Sequence, residues 1–304
     1  LKTFCLVVSV VLCIYYIASS LHLNFNSLVT TLSDSDFSKT FFFDDVNDKR
    51  YFFKQFLAGV FTVIAMNGLD QDMMQRNLSC NSQKNMITSG ISQFFVILLF
   101  LMLGVLLYTF TAQQGIKNPD KSDEIFPMIA TGNYFPGIVG ILFIIGLIAS
   151  AYSAAGSALT ALTTSFTVDI LNAQKKGEAA LSKIRKHVHI GMAIVMGIII
   201  FVFNLLNNTS VIDAIYTLAS YTYGPILGLF AFGIFTKKQI YDKYIPPIAI
   251  ASPVLCHILQ RNSEAWFNGY QISYELLLFN AAFTFTGLCF LIRKKSTINN
   301  TTAL

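Results

Sequence analysis

The chain has 304 residues, of which 54% are hydrophobic and only 12% are charged. A typical soluble domain carries about 25% charged residues, so this composition excludes a water-soluble protein with a single core. The net charge of +5 comes from Lys and Arg residues that lie between apolar runs and form no basic stripe with interleaved aromatic residues. Nucleic acid is therefore not an expected partner. The expected environment is the lipid bilayer.

Eight apolar runs approach the length needed to cross a bilayer, whose hydrocarbon core of about 30 Å takes about 20 helical residues. They predict an all-α, polytopic membrane protein with about eight transmembrane helices in a single bundle over residues 1–304. The first residue is Leu1 rather than Met, so we expect the chain to begin partway through a larger protein. The runs are 3–21, 52–69, 86–112, 134–166, 190–206, 211–235, 245–259 and 276–292.

The distribution of Lys and Arg between the runs predicts the orientation. The loops after the second, fourth and sixth runs, together with the tail, contain 13 Lys and Arg residues, whereas the loops on the other side contain 7. Because cytoplasmic loops carry the excess of positive charge, the first set is expected inside the cell. The C-terminus is then cytoplasmic, and the protein is a multi-pass protein of the cell membrane.

Two of the runs contain residues that disturb a helix. Asn67 and Gly68 end the second run, and both are poor helix formers. The sixth run holds Gly224 and Pro225, and an interior proline removes a hydrogen bond of the helix and bends it. Interrupted or bent membrane helices are where transporters bind their substrates.

The fourth run carries a face of small and hydroxyl side chains. At 100° per residue this face spans an arc of about 80°, which is consistent with two interpretations. Small residues and hydroxyls allow close packing between membrane helices, or the hydroxyls and nearby carbonyls form an oxygen site for a small cation or polar substrate. The spacing by itself favours packing. The residues are Gly146, Ser150, Ser153, Ser157, Thr160 and Thr164.

Three segments resemble the sodium:solute symporter family. They are Gly68 to Ser79, Tyr152 to Ile170, and Ser220 to Pro225 in the bent sixth run. The order of the runs and the basic inner loops agree with the family from about residue 3 to residue 293.

The resemblance implies a LeuT-type fold of two inverted five-helix repeats, with alternating access and Na⁺ coupling. The first run would match the last helix of the first repeat, and runs two to six would match the second repeat. The first four core helices would then precede Leu1. The implied function is Na⁺-coupled symport of a small polar organic solute in a bacterial inner membrane.

The resemblance also implies a sodium site on the fourth run. In the family, a backbone carbonyl and two neighbouring hydroxyls of this helix bind Na⁺. Ser150 occupies the carbonyl position and Ser153 supplies the first hydroxyl, whereas Ala154 replaces the second. Gly156 stands where close relatives often carry Asp. Water or Ser157 could replace the missing oxygen.

The solute does not follow from the resemblance. The bacterial sodium/galactose member has a sugar-binding Asn, a gating Tyr, a Lys and a Gln at four positions. The corresponding residues here are Val63, Met66, Gln93 and Tyr216. These replacements disfavour galactose. Sialic acid, another sugar, an amino acid, a vitamin or a carboxylate stay open. The candidate substrate or gating residues are Met66, Asn67, Gln93, Ser157, Tyr216 and Tyr221.

Two other classes of function agree less well with the sequence than transport does. The alternative is a membrane input module of a signalling protein, since such modules of sensor kinases resemble this fold. Only 12 residues follow Ile292, too few for a kinase domain, which argues against this alternative unless the chain is cut at this end too. An integral-membrane enzyme would need His, Asp or Cys clustered at catalytic spacing, and the sequence shows no such pattern. The prediction is a transporter and not an enzyme.

Overall fold

A computed structural model describes residues 2–79, 82–206 and 210–293, and α-helices make up most of these residues. Within these ranges the chain forms no strand beyond an isolated antiparallel bridge between Ile240 and Ile292. The helices are α1 (Lys2–Ser20), α2 (Phe25–Asp34), α3 (Phe52–Gly68), α4 (Gln71–Leu78), α5 (Gln83–Gln113), α6 (Ile125–Thr131), α7 (Gly137–Ser165), α8 (Glu178–Leu206), α9 (Val211–Phe235), α10 (Ile245–Trp266) and α11 (Leu276–Phe290).

Each of the eight apolar runs coincides with a helix, and no run extends more than three residues past a helix end, which confirms the all-α prediction. Among the described residues, five of these helices are long and apolar enough to cross a membrane, namely α1, α5, α7 with the turn that follows it, α8 and α9. Helices α3 and α11 are apolar but have only 17 and 15 residues, or about 25 and 22 Å at 1.5 Å per residue. The number of eight crossings therefore stays a prediction.

Local sequence explains where several helices begin and end. Helix α3 ends at Gly68, next to the poor helix formers that were expected to weaken it. The chain then turns at Asp70, whose side-chain oxygen accepts a hydrogen bond from the Met73 amide at 3.1 Å and so satisfies a free donor in the first turn of α4. Helix α8 begins at Glu178, 12 residues before the apolar run, because the charged residues ahead of the run are themselves good helix formers.

The described chain divides into two compact units. The first comprises Leu1–Thr40 and Gln75–Val211, in which α1 packs against α5 and α7, and α7 also packs against α6 and α8. Helices α1 and α7 approach closely at Gly146, where a Cβ atom would lie 2.7 Å from Cγ of Leu6. The core of this unit includes Val10, Cys13, Ile17, Leu106, Ile129 and Val139.

The second unit comprises Phe41–Met74 and Ile212–Leu304, and its helices α9 and α11 are joined through a buried asparagine. Pro225 has no N–H, so the carbonyl of Tyr221 lacks its usual donor within α9. Asn280 of α11 supplies the replacement, because its Nδ2 donates to the Tyr221 carbonyl at 3.0 Å and to the Ser220 carbonyl at 3.1 Å. Such a substitute donor is needed in a membrane helix, where water cannot satisfy the freed carbonyl.

Helix α9 nevertheless runs through Pro225 as one continuous helix. The asparagine fits against it because Gly224 has no side chain, since a Cβ atom there would lie 2.5 Å from Cβ of Asn280. Ser252 of α10 donates to Oδ1 of Asn280 at 2.5 Å. One buried amide group thus connects α9, α10 and α11.

A second polar arrangement, the Lys54 junction, ties the segment before α3 to the segment before α11. Lys54 is only 7% exposed, and its ammonium donates to the carbonyls of Asn47, Asp48 and Gln271 at 3.2 to 3.3 Å. It also lies 3.5 Å from the centre of the Tyr270 ring, a distance at which a cation is attracted to the ring face.

Two titratable groups around the Lys54 junction, Tyr270 and Asp48, have shifted pKa values. Glu275 is buried, and its Oε1 accepts a hydrogen bond from the Tyr270 hydroxyl at 3.3 Å. Burial, together with this carboxylate, raises the pKa of Tyr270 to about 12. On the exposed rim, hydrogen bonds from Arg50 lower the pKa of Asp48 to about 2, so this pair stays ionised at physiological pH.

Candidate functional site

The hydroxyl face of α7 is the central feature of the first unit. Gly146 is buried against α1, and Ser150, Ser153 and Ser157 are half-buried. The face therefore combines close packing at Gly146 with half-buried hydroxyl side chains further along the helix.

The last two positions of this face are more exposed than the first four. Thr160 and Thr164 are exposed, and their hydroxyls donate to carbonyls of the preceding turn, Gly156 at 2.8 Å and Thr160 at 2.9 Å. A threonine hydroxyl within a helix can donate to the carbonyl one turn earlier. The hydroxyls of Thr160 and Thr164 are therefore hydrogen-bonded although both residues are exposed.

A wider helical turn follows α7 within the segment that resembles the family. Phe166–Ile170 form a π-helical turn, in which the amide of Leu171 donates to the carbonyl of Phe166 at 3.0 Å. Thr167 in this turn is buried, and its hydroxyl has no hydrogen-bond partner among the described residues. Single π-turns inside helices are frequent at functional sites, and this one lies at the end of the hydroxyl face.

Gln93, also in the first unit, lies on α5 rather than on the hydroxyl face of α7. Its side chain is exposed. Its assignment as a substrate residue stays a prediction.

The candidate residues of α3 and α9 lie in the second unit. Met66 is half-buried and Asn67 is exposed, with its Nδ2 donating to the Val63 carbonyl one turn earlier at 3.1 Å. The side chain that links this end of α3 to α9 is Tyr223, whose hydroxyl donates to Asp70 at 2.7 Å. Both residues lie in segments that resemble the family, but neither is among the site residues predicted from the sequence.

The two tyrosine candidates of α9 make different contacts. Tyr221 points toward α10, where its hydroxyl donates to Oε1 of Gln260 at 2.5 Å. The ring of Tyr216 lies 5.3 Å from that of Tyr274, whose hydroxyl donates to Asp213. Burial and this hydrogen bond raise the pKa of Tyr274 above its usual range. Each tyrosine is thus fixed by a partner within the second unit.

The interacting polar residues that the sequence did not predict share a recognisable pattern. Asn280 and Asp213 are polar residues inside otherwise apolar runs, and Lys54 is a cation at the start of one. In a membrane helix such residues are costly unless they are paired, so each predicts a partner or a function. The identity of the partner depends on the three-dimensional packing.

Comparison with known proteins places these features in a family. The family model described as "Sodium:solute symporter family" matches residues 1–241, which include all of the segments α1 to α9. A sodium/sialic acid symporter, NanT, of Aliivibrio fischeri strain ATCC 700601 / ES114 is 26% identical over 180 residues, which cover 55% of this chain and 35% of that protein.

A solved structure of a Na⁺-coupled sialic acid symporter, in a substrate-bound outward-open state, shares the fold with a TM-score of 0.71 at 20% identity. The alignment covers 97% of this chain and 62% of that one, so the present chain spans less than two thirds of either relative. The likeness confirms the LeuT-type helical fold. Together with the family match over residues 1–241, it shows that the chain belongs to the sodium:solute symporter family.

Proposed function

We propose that the protein is a Na⁺-coupled secondary active symporter that moves a small polar organic solute across the cell membrane by alternating access. The observation that carries this proposal is the family match over residues 1–241. The described helices agree with it, since α1, α5, α7, α8 and α9 have the length and apolar composition of membrane spans. The work of such a protein is transport and not covalent catalysis.

A sialic acid is the first solute to test. Both relatives described above are sialic acid symporters, whereas the residues at the galactose-binding positions of another family member are replaced here. Neither relative is a sensor protein, so the comparisons give no support to the alternative of a signalling input module.

The coupling site is proposed on the hydroxyl face of α7. The Ser153 hydroxyl and the Ser150 carbonyl are the proposed Na⁺ ligands, since neutral and anionic oxygen atoms suit hard cations. Both residues are half-buried on the same face. Ala154 removes the second hydroxyl that the family uses, so the hydroxyl contribution of this helix rests on Ser153 and on Ser157 one turn later.

Uptake of radiolabelled sialic acid by the full-length protein, titrated with Na⁺, tests this assignment. Removal of one oxygen ligand in Ser153→Ala costs about 1 to 3 kcal/mol, so the Na⁺ concentration for half-maximal uptake should rise roughly 5-fold to 150-fold. Ser150→Ala is the matched control on the same helix, and it should change little because only its backbone carbonyl is proposed to bind Na⁺.

Three results separate the parts of the proposal. Equal Na⁺ dependence in the parent and in Ser153→Ala, at equal surface expression, would show that the hydroxyl face serves helix packing only. Na⁺-dependent uptake of a different solute would correct the solute and keep the symport mechanism. Uptake that does not depend on Na⁺ would contradict the mechanism itself.

A further inference from the structure

A basic cleft lies between α7 and α8 in the first unit, apart from the serines of the proposed sodium site. It has a volume of about 550 Å³ and is open to the surface. One wall is formed by threonines of α7, and the other by the first turns of α8, just before the apolar part of that helix begins. The lining residues are Thr160, Thr163, Thr164, Ser182, Arg185, Lys186, His189 and Ile190.

The polar side chains of α8 in this cleft share one helical face. Ser182, Arg185, Lys186 and His189 follow steps of 3, 1 and 3 residues, which at 100° per residue keeps them within an arc of about 100°. All four can donate hydrogen bonds when the histidine is protonated. The face thus presents a set of converging donors and two permanent positive charges.

These charges are not neutralised by the protein in the described parts of the chain, where neither Arg185 nor Lys186 has a carboxylate within ion-pair distance. The Ser182 hydroxyl likewise makes no hydrogen bond among the described residues. Donors and cations left without anionic partners at the edge of an apolar helix have the character of an anion site.

The position of His189 is fixed from α7. The Thr163 hydroxyl is buried and donates to the Leu159 carbonyl at 2.7 Å, so its single proton is already used. It must therefore accept the hydrogen bond of 3.1 Å that joins it to Nδ1 of His189. Nδ1 carries a hydrogen in this arrangement, and Nε2 is the ring nitrogen left for a ligand, to which it donates when the ring is protonated.

The neighbouring His187 shows that this arrangement is specific to one face. Its Nδ1 lies 2.8 Å from the carbonyl of Lys183 one turn earlier in α8, outside the cleft. Alternate residues of a helix do not share a face, and His187 and His189 accordingly make different contacts. Lys183 and Lys175 carry the same charge as the cleft residues but do not line the cleft, so they provide matched controls.

We propose that the cleft formed by Ser182, Arg185, Lys186 and His189 of α8 and Thr163 of α7 is a binding site for a phosphate group. Arg185 has the fork geometry that binds two phosphate oxygens at once, and Lys186 adds a second charge. The proposed orientation places this end of α8 at the cytoplasmic surface, where basic pockets between membrane helices bind the headgroups of anionic lipids. The same chemistry would accept a soluble phosphate.

Native mass spectrometry of the purified full-length protein, titrated with phosphatidylglycerol or phosphatidylcholine, tests the proposal. At about 1 kcal/mol for each cation near a membrane surface, Arg185→Gln/Lys186→Gln should bind phosphatidylglycerol about 30-fold more weakly. The control Lys175→Gln/Lys183→Gln removes the same charge and should keep the affinity of the parent. Phosphatidylcholine should bind all three proteins weakly and equally.

A second variant distinguishes a specific phosphate-binding site from general electrostatic attraction to the positive charges. Ser182→Ala keeps every charge but removes one donor, and should weaken phosphatidylglycerol binding about 5-fold. The thermal unfolding midpoint of the double variant shows whether that protein folds. If it does not fold, Ser182→Ala still tests the proposal.

Competition with inorganic phosphate identifies the source of the group. Displacement of the lipid only by other anionic lipids supports a lipid site, and displacement by inorganic phosphate at millimolar concentration supports a soluble phosphate in the same cleft. Equal lipid binding by the cleft variant and the control variant would overturn the proposal.

Discussion

Two glycines of α7 have opposite surroundings although they lie on one helix. A Cβ atom at position 146 would be 2.7 Å from Cγ and 3.0 Å from the backbone nitrogen of Leu6, whereas one at position 156 would meet nothing within 4 Å. We expect Gly146→Ala to destabilise the protein by about 1 to 3 kcal/mol through overpacking between α1 and α7. Gly156→Ala should instead stabilise it by about 0.5 to 1 kcal/mol, because alanine favours the helix.

The thermal unfolding midpoint of the purified protein in detergent measures both changes. The comparison is internally controlled, since the two substitutions are chemically identical and lie on one helix. A midpoint that falls equally for both variants would show that the close approach of α1 and α7 at Gly146 does not limit stability.

At the scale of the elements, the hydrogen bond from Asn280 of α11 to the Tyr221 carbonyl replaces the bond that Pro225 removes from α9. Asn280→Leu keeps the branched shape of the side chain but removes its amide, which leaves the Tyr221 carbonyl without a donor. An unsatisfied buried polar group costs about 1 to 3 kcal/mol, so we expect a lower free energy of unfolding. Pro225→Ala returns the missing N–H to α9, and in the double variant it should recover a large part of this loss.

A double-mutant cycle on unfolding detects this rescue. If the effects of Asn280→Leu and Pro225→Ala simply add, the two residues are not coupled and the proposed replacement of the helical donor is incorrect. Positive coupling of about 1 kcal/mol or more would establish it.

The apolar runs predicted the helices because length and hydropathy are properties of a single segment. All eight runs became helices, and α3 ends beside the Asn67 and Gly68 pair that was expected to weaken it. The same scan missed α2, α4 and α6, which are too short or too polar to span a bilayer, and it placed the start of α8 too late because its first turns are charged.

The contacts of the candidate site are harder to predict from the sequence than the helices are. The spacing of Ser150, Ser153 and Ser157 did predict that they share one face of α7, and all three are half-buried. It could not predict that Tyr223 reaches Asp70 or that Asn280 reaches Tyr221, since these pairs are 153 and 59 residues apart and depend on helix packing. Hydrogen-bond partners between helices are thus a property of the fold.

At the scale of the whole molecule, the charge distribution predicts the orientation in the membrane. Lys183 and Lys238 belong to the side rich in positive charge and Lys49 to the other side, and all three are exposed. In a background without native cysteines, Lys183→Cys and Lys238→Cys should react with a membrane-impermeant maleimide only after permeabilisation. Lys49→Cys should react in intact cells. Labelling of positions 183 and 238 from opposite sides would contradict the proposed topology.

The Lys54 junction also has a consequence for recognition by antibodies. Residues 45–50 and 269–271 are far apart in the sequence, yet they form one surface cleft of about 430 Å³ because the Lys54 ammonium holds both backbones. A binder that contacts both segments would recognise a discontinuous epitope, present in the folded protein and absent from peptides of either segment. Such a binder would report native structure around α3 and α11 without any measurement of transport.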